Sequence, residues 1–346
     1  MKKTSSVIII VILLILAVVS IFIYKTKHRS TTVDEDARNF KFTDTAAITK
    51  IFIADKEGNS STLTRTPKGW IVNDKYSCRS DAILNLFETI KHVEVKMPVS
   101  KDAKAGVLKF MASRAIKVEI YTGDKLVKQY YVGHEPPDYE GSYMLLTDPE
   151  SLENYKDPFV CFIPGFKGYL IPRFVAKENE WRDRIVLNYI PPQIKQIKVQ
   201  HFNLPDSSFT IDLNSTTSFK LKNAKNVEVA FDETKMKQYL AYYQNISYEV
   251  LITGKNKKLT DSLTANKPFT VISITTTDFK TNEYKFYNKK ANPDITPEHG
   301  VTYQNDPDRL YLQFADNKEW ALIQYFVFGK LLISTSYFAP GVSVKK

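Results

Sequence analysis

The sequence predicts an α+β fold: an N-terminal transmembrane helix followed by two tandem repeats, each an antiparallel sheet with one main packing helix. Three observations carry this prediction. An uncharged, mostly aliphatic run lies close to the start of the 346-residue chain. Five sequence patterns recur in the same order in the two halves. Apolar and polar residues alternate along the predicted strands, and each half holds one apolar stripe at helical spacing.

The aliphatic run is Val7 to Tyr24, VIIIVILLILAVVSIFIY, and holds no charge. As a helix at about 1.5 Å per residue it reaches roughly 27 Å, close to the hydrocarbon thickness of a bilayer. A cleaved signal peptide has a shorter apolar core followed by a small-x-small site. Here Ala17-Val18-Val19-Ser20 is followed by more apolar residues, and the first cysteine, Cys78, lies too far on for a lipoprotein. The run has no polar face, which argues against a buried core helix. Residues 1–29 are therefore expected to anchor the chain in the inner membrane in a single pass. Lys2 and Lys3 on one side nearly balance Lys25, Lys27 and Arg29 on the other. The layout of a short tail, one span and a large domain is that of a signal anchor, so a cytoplasmic N-terminus and a periplasmic bulk are expected.

The anchor changes the meaning of the charge. The formal net charge is +10, but the first 29 residues hold five basic and no acidic side chains. The rest carries only about half of that excess, too little for a nucleic-acid footprint. A composition 43% hydrophobic and 25% charged excludes bulk disorder.

Residues 30–44 are polar and read as a juxtamembrane linker. The first repeat then spans 45–158 and the second 193–346. Ile48-x-x-Ile51-x-Ile53 recurs as Ile194-x-x-Ile197-x-Val199, and Trp70-x-Val72 as Phe219-x-Leu221. The triple Ile83, Phe87, Ile90 recurs as Met236, Leu240, Tyr243; Val93, Val95, Met97 recurs as Ile246, Tyr248, Val250. Val118, Ile120, the turn at Thr122-Gly123-Asp124 and Tyr130 recur as Ile272, Ile274, Thr276-Thr277-Asp278 and Tyr284. Five matches in one order point to tandem duplication. The first helix is expected to start at the N-cap residue Ser80 and the second near Asp232. Residues 159–192, aromatic and punctuated by Pro164, Gly165, Gly168 and Pro172, read as a connector packed between the units.

The chemistry-bearing motifs are sparse. There is no Gly-x-Ser-x-Gly elbow, no phosphate loop, no dinucleotide fingerprint and no zinc spacing, so no cofactor is expected. Three places merit weighing. The loop His134-Glu135-Pro136-Pro137-Asp138-Tyr139-Glu140, with its counterpart holding Glu298, His299, Asp306 and Asp308, has donors suited to a divalent ion or to a hydrolase. The plainer reading, a solvated Pro-rich loop, is preferred. Cys78 and Cys161 could form a disulfide, although separate buried thiols are the simpler outcome. Trp181-Arg182-Asp183-Arg184 combines residue types favoured at recognition hot spots, but an internal clamp between the repeats is the preferred reading.

The run Trp181-Arg182-Asp183-Arg184-Ile185-Val186, followed by Ile194-x-x-Ile197-x-Val199, resembles the centre of a bacterial envelope domain of unknown function, the DUF-4340 type. The early Ile48-Thr49-Lys50-Ile51 strand, the Gly-Trp-Ile-Val strand at Gly69 to Val72 and Val132-Gly133 before Tyr143 are also similar to it. The resemblance implies a setting beside auxiliary subunits of gliding-motility-type ABC transport systems. The chain shows no trace of the transport-auxiliary domain to which relatives are fused, and the family brings no catalytic residues. The expected function is an anchored interaction or scaffold module contacting envelope or transporter proteins. The alternative is a ligand-binding accessory subunit of an ABC-type transport, secretion or gliding system. The membrane is the expected partner of Val7 to Tyr24, and nucleic acid is not expected.

Overall fold

The computed structural model describes residues 36–215, 217–253, 257–292, 303–316 and 318–340, together with Leu16 and Ser20. The chain forms two compact units that meet in sequence between Asp183 and Arg184.

In the first unit the strands are β1 (Lys50–Ala54), β2 (Ser60–Thr66), β3 (Gly69–Val72), β4 (Tyr76–Ser77), β5 (Glu94–Pro98), β6 (Ile116–Thr122), β7 (Lys125–Val132), β8 (Ser142–Thr147) and β9 (Phe159–Phe162). They form one antiparallel sheet of nine strands in the order β4-β3-β2-β1-β6-β7-β8-β9-β5. Helix α1 (Ser80–His92) lies between β4 and β5 in sequence, and α2 (Lys101–Arg114) between β5 and β6. A short α3 (Glu178–Trp181) closes the unit.

Alternation sets the register. Ile51 stands opposite Leu63 on one side and Ile120 on the other, and Ile53 stands opposite Val118. All five are fully buried. α1 adds Ile83, Leu86 and Ile90 to this core, a stripe at helical spacing; Thr89 of the same helix is buried too. Its N-cap is Arg79, one residue before the expected Ser80. Phe87 of the expected stripe lies at the core margin, its ring edge-on to Trp70 at 5.3 Å.

The second unit holds β10 (Ile185–Leu187), β11 (Ile194–His201), β12 (Phe209–Leu213), β13 (Phe219–Asn223), β14 (Glu228–Val229), β15 (Ile246–Ser247), β16 (Val250–Ile252), β17 (Thr270–Thr276), β18 (Thr281–Lys290), β19 (Asn305–Phe314) and β20 (Glu319–Gln324). β10 pairs with β15 alone. The other nine strands form a sheet in the order β14-β13-β12-β11-β17-β18-β19-β20-β16, the same course that the first sheet follows. Helix α4 (Glu233–Ala241) begins at Asp232, whose carboxylate accepts from the Thr234 and Lys235 amides at 2.8 and 3.1 Å. α5 (Lys257–Ala265) and the short α6 (Tyr325–Phe328) complete the unit.

The fold class needs correction. The described chain is mostly antiparallel sheet, two sheets of nine strands, with six short α-helices among the described residues. One packing helix per sheet was expected, but a second helix packs on the opposite face. On β8 and β9, Met144, Leu146, Phe159 and Cys161 belong to the α1 core, whereas Tyr143, Leu145 and Val160 pack with Val107 and Met111 of α2. Neighbouring residues of a strand point to opposite faces, so the sheet is covered on both sides there. Every residue of β8 is buried for this reason. In the second unit Phe286 and Ala321 face the α4 core, while Tyr287 and Trp320 face Leu263 of α5. α2 has almost no apolar periodicity and buries only Val107 and Met111, while α5 is short and buries only Leu263.

The membrane prediction is corrected as well. Val7 to Tyr24, apart from Leu16 and Ser20, lies outside the described residues. Among the described residues no helix is long and apolar enough to cross a membrane. The structure thus gives no support to the transmembrane helix or to single-pass residence in the inner membrane with a periplasmic bulk.

The segment expected to act as a connector begins with β9, and its Leu170, Phe174, Ala176 and Trp181 lie in the first core. Buried hydrogen bonds hold it there. Ser61 Oγ donates to the Ala176 carbonyl at 2.8 Å, and the Leu170 amide donates to Ser142 Oγ at 2.9 Å. Gly141, at the head of β8, has φ +106°, and a Cβ there would stand 2.4 Å from the Cys161 carbonyl oxygen. Only glycine permits both that dihedral and that approach.

Candidate functional site

A concavity of the first unit surrounds Trp181. The indole is buried, and its Nε1 donates to the Val175 carbonyl at 2.7 Å. The segment after it docks along β4. The Arg79 amide donates to the Trp181 carbonyl at 2.8 Å, and the Asp183 amide donates to the Ser77 carbonyl at 2.7 Å. Arg182 bridges Cys78 in antiparallel fashion, and its guanidinium lies 3.5 Å from the centre of the Tyr76 ring. The Trp-Arg-Asp run therefore continues the sheet edge at β4, with Trp181 and Arg182 both buried within the first unit. Arg184 is the first residue of the second unit.

Beside Trp181 opens a cleft of about 330 Å³, lined by Arg79, Asp81, Ala82, Asn85, Pro172, Arg173, Val175 and Glu180 as well as Trp181. Its charges differ in their engagement. Arg79 forms an ion pair with Asp81, its Nε 3.1 Å from Oδ1, and that guanidinium holds the Asp81 carboxyl below its ordinary value. Glu180 is engaged too. Arg173 has no carboxylate partner among the described residues; its Nη1 donates to Thr89 Oγ1 at 3.3 Å and lies 3.5 Å from the Asn85 carbonyl oxygen. Its guanidinium also stacks on Phe166 at 4.4 Å. A guanidinium so held keeps a charged, planar donor set in a fixed place.

A family model described as a domain of unknown function, DUF4340, matches residues 70–268, more than half of the chain. The chain belongs to the DUF4340 family. The DUF4340 match starts at Trp70 in β3, takes in the Trp181 cleft and ends just before β17. No curated protein matches the chain. No solved structure matches it either.

The other predicted sites of this DUF4340 protein resolve differently. In the loop after β7, Lys96 Nζ donates to Asp138 at 2.9 Å and to Glu140 at 3.1 Å, so a lysine occupies the place an ion would take. The Glu140 amide and then Lys96 keep the Asp138 carboxyl below its ordinary value. His134 packs between the rings of Phe110 and Tyr143, at 4.0 and 4.9 Å. In the second unit Glu298 and His299 lie outside the described residues, while Asp306 is paired with Lys289 at 2.6 Å. No group of three or more possible ligands is gathered among the described residues. The disulfide between Cys78 and Cys161 is not formed: both are free thiols in the first core. Burial pushes Cys78 up to about 12 and Cys161 well above its ordinary value, so neither is a ready nucleophile.

The sequence reading picked out Trp181 but not its companions Arg79, Asn85 and Arg173. Arg79 precedes a helix and Arg173 sits in an aromatic segment, and nothing local links them. Only the packing of the segment after β9 against α1 brings them to one cleft.

Proposed function

We propose that this protein is a non-catalytic interaction module whose recognition site is the Trp181 cleft. The supporting observation is Arg173: a half-buried guanidinium, held by Phe166 and Thr89, that lines an open cleft and forms no ion pair among the described residues. Arginine and tryptophan are the residue types that dominate recognition hot spots, and a positioned but uncompensated arginine is what a complementary partner would use. A photo-crosslinking residue at Asn85, on the exposed rim, tests the reading in cells that produce the chain. A discrete protein adduct is expected there and not from Phe279, an exposed turn residue of the second unit. Equal labelling at both positions, or none at either, would sink it.

The second reading is a ligand-binding accessory subunit of an ABC-type transport system. The same cleft supports it, because about 330 Å³ is at the small end of ligand-pocket volumes and suits a small molecule. Saturable small-ligand binding by the purified chain, with no protein adduct at Asn85, would favour this reading over the first.

A further inference from the structure

We propose that the Trp181 cleft takes an α-carboxylate borne on an apolar residue, as the C-terminus of a polypeptide presents it. The inference rests on the reading of this cleft as the recognition site and names its ligand chemistry. Two features of the lining argue for it. The first is the charge balance. Asp81 is satisfied by Arg79 and Glu180 is engaged, so Arg173 is the lining cation whose charge is not matched by a carboxylate. A guanidinium offers a planar fork that pairs with two carboxylate oxygens at once, which an amide or hydroxyl cannot match. Its stacking on Phe166 and its bond to Thr89 Oγ1 fix one side of the group and reduce the ordering cost of binding.

The second feature is the remaining wall. Ala82, Pro172, Val175 and Trp181 supply apolar surface in the same lining as Arg173, and the exposed Asn85 supplies an amide. A cleft of about 330 Å³ holds one residue, not a long segment. An arginine without an ion pair in the same lining as apolar surface matches a terminal residue with an aliphatic side chain. An internal peptide segment has no carboxylate for Arg173, and a phosphate has no apolar body for the wall.

N-acetyl-leucine, its amide N-acetyl-leucinamide and an acetylated hexapeptide ending in leucine, each titrated into the full chain, test the proposal. The readout is the assigned indole N–H resonance of Trp181. The acid is expected to shift it saturably, and the amide to bind at least about tenfold more weakly, the loss expected for one charge-assisted pair. The hexapeptide is expected to bind more tightly than N-acetyl-leucine; equal affinity would overturn the polypeptide source while leaving the carboxylate site. Arg173→Gln is expected to reduce acid binding about tenfold, with Arg173→Lys in between. Equal affinity for acid and amide, or no saturable shift below about 10 mM, overturns the proposal. If Arg173→Gln does not fold, the acid and amide comparison on the natural chain decides alone. Acid-selective binding without a protein adduct at Asn85 would uphold the carboxylate site and reject the protein-partner reading. An adduct without acid selectivity would do the reverse.

Discussion

Replacing Gly141 with alanine is the sharpest test of how β8 is set against β9. Gly141 has φ +106°, a region that costs an L-residue about 1–3 kcal/mol. The added Cβ would also stand 2.4 Å from the Cys161 carbonyl oxygen and 3.3 Å from Val160 Cγ1. Backbone, not a flexible side chain, must yield, which adds about 1–3 kcal/mol of overpacking. The sum, about 4 kcal/mol, is a large share of a typical domain's stability of about 5–15 kcal/mol. Gly58→Ala separates the two contributions. Gly58 has φ +88°, but its Cβ would meet nothing within 4 Å, so only the dihedral strain applies. The assay is urea unfolding of the full chain followed by tryptophan fluorescence, with Trp70 and Trp181 reporting on the first unit. At a slope of about 1–3 kcal/mol per molar, Gly141→Ala should lower that unit's midpoint by roughly 1 M beyond the shift from Gly58→Ala. If the two variants unfold at the same midpoint, the close approach of β9 to Gly141 is not a constraint and the reasoning fails.

Three further outcomes are expected. Ser61→Ala removes a fully buried hydroxyl that donates to the Ala176 carbonyl, and should destabilise the first unit by about 1–2 kcal/mol in the same assay; a neutral result would mean the carbonyl finds another donor. Burial raises the Asp212 carboxyl, but hydrogen bonds from Lys222 and Gln196 outweigh it and leave the group below its ordinary value. Its contribution is thus present above about pH 4 and is lost as pH falls through the folded-state value, so Asp212→Asn should flatten the acid limb of the second unit's stability profile. Cys78 and Cys161 should resist an aromatic disulfide reagent in the native chain at neutral pH and react in full once urea unfolds it; fast native labelling would contradict their burial.

What could be read in advance followed from local repetition. Ile51, Ile53, Val118 and Ile120 alternate because one face of the sheet meets α1, and a period of two records that directly. Met236 and Leu240, at helical spacing, mark the buried face of α4, and Tyr243 follows just beyond its end. The reading failed where a second layer intervened. Tyr143 and Leu145 are buried along with Met144 and Leu146, so β8 carries no alternation, and the helix that covers it buries too few residues to announce itself. The cleft was illegible in a different way. Arg79 and Arg173 lie far apart in sequence, and their meeting depends on how Leu170, Phe174 and Trp181 insert into the core. Trp181 drew notice through its composition, but Arg173 is singled out by forming no ion pair among the described residues, which no sequence pattern records.

The course of each sheet bears on the order in which the molecule can assemble. β5 leaves the chain early but pairs only with β9, after β6, β7 and β8 have been laid down between the rest of the sheet and that edge. β16 waits for β20 in the same way. A chain emerging from the ribosome can zip β1, β2 and β3 at once, yet it must hold β5 and its two flanking helices unplaced until Phe162 appears, and the first core is not filled until Trp181 follows. Long-range closure of this kind is slow and leaves an open edge while it waits. The first unit should therefore become protease-resistant in a single late step near residue 181, not by gradual growth from its N-terminal hairpins.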